Sequence, residues 1–285
     1  MEISGDIRLQ AGALVWTVGG SVTQQMTEIK SLKFLNEATS SVLTPIAGGE
    51  YITSVGNAVN AFYGYQTDGI YNDGAEAASM IGPNRIPMAA GDIRFKDLSG
   101  PDGVADGVID VNDKVIIGNP NPDFFGGINS TLRFKNLELA AYFSYSMGNE
   151  IFNYVRYKAE SMDTYGNQMV SVMNRWRPGA DNANAAMPRT SFGDPTGNTA
   201  FSDRWIEDGS YVRLKQLTLN YTFPAVSSLY KGITIYVTGT NLLTFTDYSG
   251  YDPDFLYSNN PFYMGVDYGK MPQPKSFIVG LKLDL

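Results

Sequence analysis

Hydrophobic and polar residues alternate with a period of two along seven stretches of the chain. In the first stretch, Ile3, Ile7 and Leu9 are separated by polar residues, and the other six repeat this pattern over about ten residues each. Such alternation is typical of β-strands that meet an apolar environment on one face and a polar environment on the other. The predicted strands lie near 1–10, 13–26, 126–135, 137–147, 208–223, 233–246 and 275–285.

The connections between these strands are alternately short and long. The long connections are 27–125, 148–207 and 247–273, and the links between them are only a few residues long. Bacterial outer-membrane barrels combine short periplasmic turns with long extracellular loops in this way. We therefore predict a transmembrane β-barrel in which the three long connections are extracellular. Within the first of them, residues 36–60 are rich in Ser, Thr, Gly and Asn and look the most loop-like.

Seven strands alone cannot close such a barrel. Each edge would leave backbone groups unpaired in hydrocarbon, at several kcal/mol for each group. If the short links are periplasmic, the seventh strand ends in the periplasm, as the last strand of an even-stranded barrel does. The whole chain, residues 1–285, is therefore predicted to be the C-terminal part of a larger barrel that another chain or segment completes.

Composition excludes several other classes of function. The chain has 21 basic and 29 acidic side chains, a net charge of -8 that argues against a nucleic-acid partner. It has no cysteine and no histidine, which removes disulfides, thiolate metal sites and the commonest general base. The neighbouring carboxylates Glu207 and Asp208 point to opposite faces of a strand, so they do not form a catalytic pair across a cleft and are expected at a solvated strand entry. We predict that the chain is not an enzyme.

Several sequence segments resemble the C-terminal third of SusC/RagA-type TonB-linked outer-membrane receptors. They include the runs FYGYQTDGIY, GDIRFKD, IGNPNPDF, WIEDGSYVRL, GTNLLTFT and GYDP, and their order and spacing match the family over essentially the whole chain. In numbers, the runs are 62–71, 91–97, 117–124, 205–214, 239–246 and 250–253.

The resemblance implies an all-β fold, with these strands as the last seven of a 22-stranded antiparallel barrel in the cell outer membrane. It also implies import of glycans or oligosaccharides, or alternatively peptides, that a SusD-like lipoprotein captures at the cell surface. The plug and the contact with TonB would belong to the N-terminal part that precedes this chain. The alternative, from another class, is a secreted calcium-stabilised β-sandwich that binds glycans.

An acidic segment, 97–113, is the candidate metal site. Its spacing approximates a calcium loop of the D-x-[DN]-x-[DN]-G type, interrupted by five extra residues, 101–105. Hard cations need clustered oxygen ligands, and calcium is favoured over magnesium here. The alternative is a solvated acidic turn, in which Asp and Gly are common anyway. The predicted ligands are Asp97, Ser99, Asp106, the Val108 carbonyl, Asp110 and Asp113.

Aromatic residues are concentrated in the last two long connections. Sugar rings stack on aromatic faces, so these side chains could line a glycan path. Two alternatives stay open: packing between the loops, and aromatic girdles at the membrane interface, for which Tyr211, Tyr221, Phe223 and Phe245 lie at suitable strand ends. The predicted ligand-binding residues are Trp176, Trp205, Tyr251, Tyr257 and Tyr263.

Overall fold

The computed structural model describes residues 1–34, 37–227, 230–255 and 264–284. Within these residues, the strands are accompanied by two short α-helices, Gly74–Ala78 (α1) and Tyr154–Glu160 (α2), and by three short 3-10 helices, Val111–Asp113, Val170–Asn174 and Asp203–Trp205. The strands are Glu2–Ala11 (β1), Leu14–Gln24 (β2), Leu32–Phe34 (β3), Glu37–Thr39 (β4), Ser41–Ile46 (β5), Gly49–Ser54 (β6), Ala61–Gly64 (β7), Thr67–Ile70 (β8), Ile93–Phe95 (β9), Val115–Gly118 (β10), Phe124–Phe134 (β11), Leu137–Met147 (β12), Glu150–Asn153 (β13), Ile206–Asp208 (β14), Tyr211–Ser227 (β15), Tyr230–Thr246 (β16), Val266–Asp267 (β17) and Ser276–Asp284 (β18).

The seven predicted long strands form one antiparallel sheet. Its order is β1-β2-β11-β12-β15-β16-β18, so that each strand pairs with its neighbour among the seven along the chain. This confirms the predicted all-β fold and its seven antiparallel strands. The strand predicted at 208–223 begins at Tyr211 and continues to Ser227, and its partner begins at Tyr230 rather than at residue 233.

One face of this sheet is apolar and exposed, and we call it the apolar face. The strand register places one large apolar side chain from each strand in a single row that crosses the whole sheet. Every member of the row is between 37% and 73% exposed. Soluble proteins rarely leave a continuous apolar surface of this size in water. The row consists of Leu9, Trp16, Leu132, Leu139, Leu219, Val237 and Val279.

The opposite face, here called the polar face, is held together by hydrogen bonds between side chains of neighbouring strands. The hydroxyls of Thr218 and Thr238 lie 2.9 Å apart, and both residues are buried. Such cross-strand pairs are the usual unit of sheet stabilisation. Leu219 and Val237 lie on the apolar face, opposite to these two threonines.

The hydrophobic core lies in the long connections rather than in the main sheet. One cluster surrounds Tyr65, Tyr71 and Phe95, and a second surrounds Phe62, Phe152 and Trp205. The connections also form small sheets of their own, β10-β7-β6-β5, β14-β13-β17, β3-β4 and β8-β9. The long connections therefore pack as folded units with buried aromatic rings.

The prediction that residues 36–60 form a loop is wrong. Within this range, β5 and β6 pair as an antiparallel hairpin, in which Ser41 lies opposite Ser54 at one end and Ile46 lies opposite Gly49 at the turn. The hairpin is fixed by Tyr51, whose fully buried ring lies 5.4 Å from the ring of Phe62. The Ser, Thr and Gly content that looked loop-like belongs to a strand pair that is stabilised by packing rather than by its own composition.

Candidate functional site

The polar face carries a group of hydrogen-bonded charged and polar side chains near the short turns. Glu138 on β12 accepts hydrogen bonds from Arg133 Nε at 2.9 Å and from Asn220 Nδ2 at 3.0 Å. These side chains, with Tyr236 and Lys282, line a recess of about 540 Å³. The recess combines donors and acceptors of both signs, so it suits contact with a polar surface rather than with one fixed charge.

A second recess of about 480 Å³ lies on the polar face of β1, β2, β11 and β12. Its floor is formed where large side chains lie flat on glycines: a Cβ at Gly127 would lie 2.7 Å from the Tyr142 hydroxyl, and one at Gly19 would lie 2.8 Å from Asn129 Oδ1. The absence of a Cβ at both positions permits this close approach without displacement of the Asn129 and Tyr142 side chains. The recess presents an exposed tyrosine ring next to an amide, a combination suited to contact with sugar or peptide groups.

Three of the five predicted aromatic ligand residues lie in the described part of the chain, and they differ in exposure. Trp176 is half-buried, with its ring over Gly91, whereas Tyr251 is 77% exposed. Trp205 has no exposed surface, and its indole N–H donates to the Ala200 carbonyl at 3.2 Å. This burial corrects the prediction for Trp205, because its ring packs in the core and offers no face to a ligand. The other two predicted residues, Tyr257 and Tyr263, lie outside the described residues.

An exposed aromatic pair was not singled out from the sequence as a ligand-binding pair. Tyr165 and Phe192, which are 91% and 64% exposed, stack with ring centroids 4.6 Å apart at an angle of 31°. Val170 and Met173 add exposed apolar surface in the same long connection. Aromatic spacing in the sequence could not identify the pair, because its two rings are 27 residues apart.

In the acidic segment 97–113, the carboxylates accept hydrogen bonds from backbone N–H groups. The fully buried Asp113 accepts from Leu98, Ser99 and Asp110, and Asp97 accepts from Asp106 and Gly107. The carboxylate of Asp106 accepts from the N–H of Val108, and that of Asp110 from the N–H of Asn112.

These hydrogen bonds hold the acidic segment in a compact loop. In the part of the chain that the structure describes, no three acidic side chains converge on a common point. The calcium site stays a prediction, and the geometry adds a purely hydrogen-bonded alternative for the same residues.

The sequence suggested that Glu207 is a solvated carboxylate. In the structure, it belongs instead to a largely buried network of hydrogen bonds. It accepts hydrogen bonds from Arg156 at 2.9 Å and from the Ser249 backbone N–H at 2.9 Å. Burial alone would raise the pKa of Glu207, but the bonds from Ser249 and Arg156 outweigh it and hold this pKa below its ordinary value. Arg156 also binds Glu160, so α2 is joined to β14 and to the last long connection.

The last long connection is fixed to the polar face by another ion pair that the sequence did not indicate. Arg213 on β15 donates to Asp252, and the two side chains are only 2% and 6% exposed. Asp252 also accepts from the backbone N–H groups of Asp254 and Gln273, both at 2.9 Å. Burial alone would raise the pKa of Asp252, but these hydrogen bonds hold it below its ordinary value.

Comparison with known proteins matches this architecture to membrane receptors. TonB-dependent receptor P3 of Formosa agariphila is 36% identical over 238 residues, which cover 80% of this chain and 22% of the receptor. TonB-dependent receptor SusC of Bacteroides thetaiotaomicron is 27% identical over 234 residues, covering 80% of this chain and 20% of SusC. No protein-family model matches the chain.

The same fold occurs in a solved importer. The RagAB peptide importer in its closed-closed state superposes with a TM-score of 0.75 at 24% identity, over 100% of this chain and 29% of the matched chain. The chain thus spans less than a third of the length of the relatives that it matches. Among the described residues, no helix is both long and apolar enough to cross a membrane.

Fold and sequence together define the class: the chain matches TonB-dependent receptors. Within that class it matches the SusC/RagA type, and its seven-stranded sheet corresponds to part of the RagA barrel.

Proposed function

We propose that the chain is part of a TonB-dependent importer in the outer membrane that takes up glycans or oligosaccharides, or alternatively peptides. The observation that carries this proposal is the apolar face, whose exposed row runs unbroken from Leu9 to Val279. Hydrocarbon is the environment in which such a surface is stable, provided that further strands pair with β1 and β18. The polar face would then line the lumen or hold the plug.

A secreted β-sandwich is the less favoured alternative. In a sandwich, the apolar faces of two sheets pack against each other about 10 Å apart. In the described part of the chain, no second sheet covers the apolar face, and the small sheets belong to the long connections. The cargo proposal rests on the relatives: SusC is a TonB-dependent receptor, and RagAB is described as a peptide importer.

We further propose that the long connections are extracellular and bind a SusD-like lipoprotein. Exposed side chains of the second long connection support this, because they include aromatic and apolar groups of the kind enriched at protein interfaces: the stacked pair Tyr165 and Phe192, and the apolar Val170 and Met173. The stacked aromatic pair would serve as the anchor.

Native purification tests the proposal. The receptor that contains this chain is extracted from membranes in detergent, purified, and analysed by mass spectrometry for co-purifying chains. We expect the missing strands and plug, as part of the same polypeptide or as a second one, together with a lipoprotein. Recovery of the chain as a soluble monomer without detergent would refute the importer and favour the sandwich.

The lipoprotein contact is tested separately with a matched pair of variants. Val170→Asp places a charge at one of these exposed apolar side chains, and Val104→Asp places one at another exposed site, in the acidic segment. We expect Val170→Asp to reduce lipoprotein recovery and Val104→Asp to leave it unchanged. Equal recovery with both variants would exclude these side chains as the docking site.

A further inference from the structure

A cavity of about 410 Å³ lies within the long connections and outside the recesses of the polar face. Arg204 and Arg156 line it together with Thr67 and Asp203, and Ala185 and Ile93 provide apolar wall. This volume is in the range of small-ligand sites. Its unusual feature is that the guanidinium of Arg204 has no carboxylate partner in the described part of the chain.

Arg204 is a partly buried cation without a carboxylate partner. No carboxylate oxygen in the described part of the chain lies within 4.0 Å of its guanidinium. Its hydrogen-bond acceptor is the Met187 sulfur at 3.0 Å, and its guanidinium carbon lies 4.2 Å from the centre of the Trp205 ring. A thioether is a weak acceptor, so most of the five N–H donors of this arginine are not used by the protein.

The neighbouring carboxylates are already bound by other groups. Glu160 accepts from Arg156 at 2.9 Å and from the Ser171 hydroxyl at 2.5 Å. Glu207 accepts from Arg156 and Ser249. Asp203, next to Arg204 in sequence, is turned toward β8 and accepts the Thr67 hydroxyl at 2.6 Å. The network thus fixes its own acid groups and leaves the Arg204 fork open toward the cavity.

The electrostatic setting agrees with this geometry. Burial lowers the pKa of Arg204 to about 10; Glu160 raises this pKa, and the nearby cation of Arg156 lowers it again. The side chain is therefore charged at neutral pH, but its charge is incompletely compensated. An arginine in such a site gains most from a planar anion that can accept two parallel N–H bonds.

We propose that Arg204 binds a carboxylate group of the imported cargo in this cavity, either that of a uronate sugar or the C-terminal carboxylate of a peptide. The assignment to cargo rests on the proposed importer function, whereas the carboxylate site itself does not. Arg156 also lines the cavity, but its charge is compensated by Glu160 and Glu207, so Arg204 is the cation that binds the anion. The apolar wall of Ala185 and Ile93 would contact the carbon skeleton of the bound unit.

Binding to the intact receptor in detergent tests this proposal without requiring transport. The probes are glucuronate with glucose as its neutral control, and glycylglycine with glycylglycinamide as its neutral control, followed by calorimetry. We expect one acid to bind at least ten-fold more tightly than its neutral control, and the acid that binds identifies the source of the carboxylate. Arg204→Met keeps much of the side-chain stem but removes the fork, and should weaken that binding about ten- to hundred-fold.

Arg177→Met is the matched control, because Arg177 lies exposed in the same long connection and does not line the cavity. It should bind the acid as tightly as the unchanged receptor. If Arg204→Met does not fold, chemical labelling of the unchanged receptor replaces it. Phenylglyoxal modifies arginine side chains, and mass spectrometry should show that the bound acid protects Arg204 from this modification.

Two results would overturn the site: equal affinity for the acids and their neutral controls, or unchanged affinity in Arg204→Met. Failure of the importer proposal would be distinct, because it would appear as a receptor that binds the acid but is recovered outside the membrane.

Discussion

The ion pair between Arg213 and Asp252 can be tested by replacing the carboxylate with an amide. Asp252→Asn leaves the guanidinium of a residue that is only 2% exposed next to Asp254, whose nearest oxygen is 3.6 Å away. Breaking a buried ion pair by removing one partner costs about 3–5 kcal/mol. Because Asp254 can compensate part of the charge, we expect a cost at the lower end, about 3 kcal/mol.

This cost should appear as local opening of the last long connection. A suitable reporter is the Gly269 amide, which donates to Asp267 at 2.8 Å and does not itself contact Asp252. Hydrogen–deuterium exchange of the peptide that contains Gly269, measured on the intact receptor in detergent, should become about 100-fold faster in Asp252→Asn.

Asp247→Asn is the matched control, because Asp247 is exposed in the same connection. In Asp247→Asn, exchange of the peptide that contains Gly269 should be as slow as in the unchanged receptor. If exchange at Gly269 were the same in Asp252→Asn and in the control, the buried pair would not hold this connection on the polar face, and the reasoning would be refuted.

Three further predictions concern the sheet, the acidic segment and pH. Leu219→Arg, on the apolar face, should cost about 2–4 kcal/mol in a refolding titration into lipid vesicles. Gln216→Arg, at an exposed position of the polar face on the same strand, should cost far less; equal costs would contradict a lipid-facing apolar face. Asp113→Asn should destabilise the segment 97–113 by about 1–3 kcal/mol, because it weakens three backbone hydrogen bonds. Limited proteolysis of the segment should therefore be faster in the variant both with and without EGTA; a difference between variant and unchanged receptor that disappears in EGTA would indicate a calcium site instead. Because the pKa of Asp252 is depressed in the folded protein, its stabilisation is complete above the unfolded pKa of about 4 and is lost as the pH falls through the folded value; Gly269 exchange, corrected for its intrinsic pH dependence, should rise at acid pH, and a flat profile would contradict this.

The main sheet could be predicted from the sequence because its signal is local. Successive residues of a strand, such as Thr218 and Leu219, face two different environments. The resulting period of two can be recognised in one strand without knowledge of its neighbour. The hairpin of β5 and β6 was missed for the converse reason: its stability depends on the contact of Tyr51 with Phe62, which no local pattern contains.

The candidate sites were harder to predict because their partners are distant in sequence. Arg213 and Asp252 are 39 residues apart, and Arg156 and Glu207 are 51 apart. Tryptophans in a long connection give the same sequence signal whether they stack on a ligand or pack in a core, so the burial of Trp205 could only be seen in the structure. The unpaired state of Arg204 depends on which acids its neighbours have already bound.

The two parts of the chain follow opposite rules of burial, and this difference is itself an argument about environment. In the long connections, large apolar side chains such as Phe152 and Trp205 are buried completely, as water requires. In the main sheet, side chains such as Leu219 and Val279 are exposed although strong strand pairing surrounds them. The proposed importer accounts for both rules, because it would place water around the connections and hydrocarbon against the apolar face. The row of apolar residues reaches the outermost strands β1 and β18. In the proposed barrel, the same boundary would therefore continue onto further strands that pair with both edges.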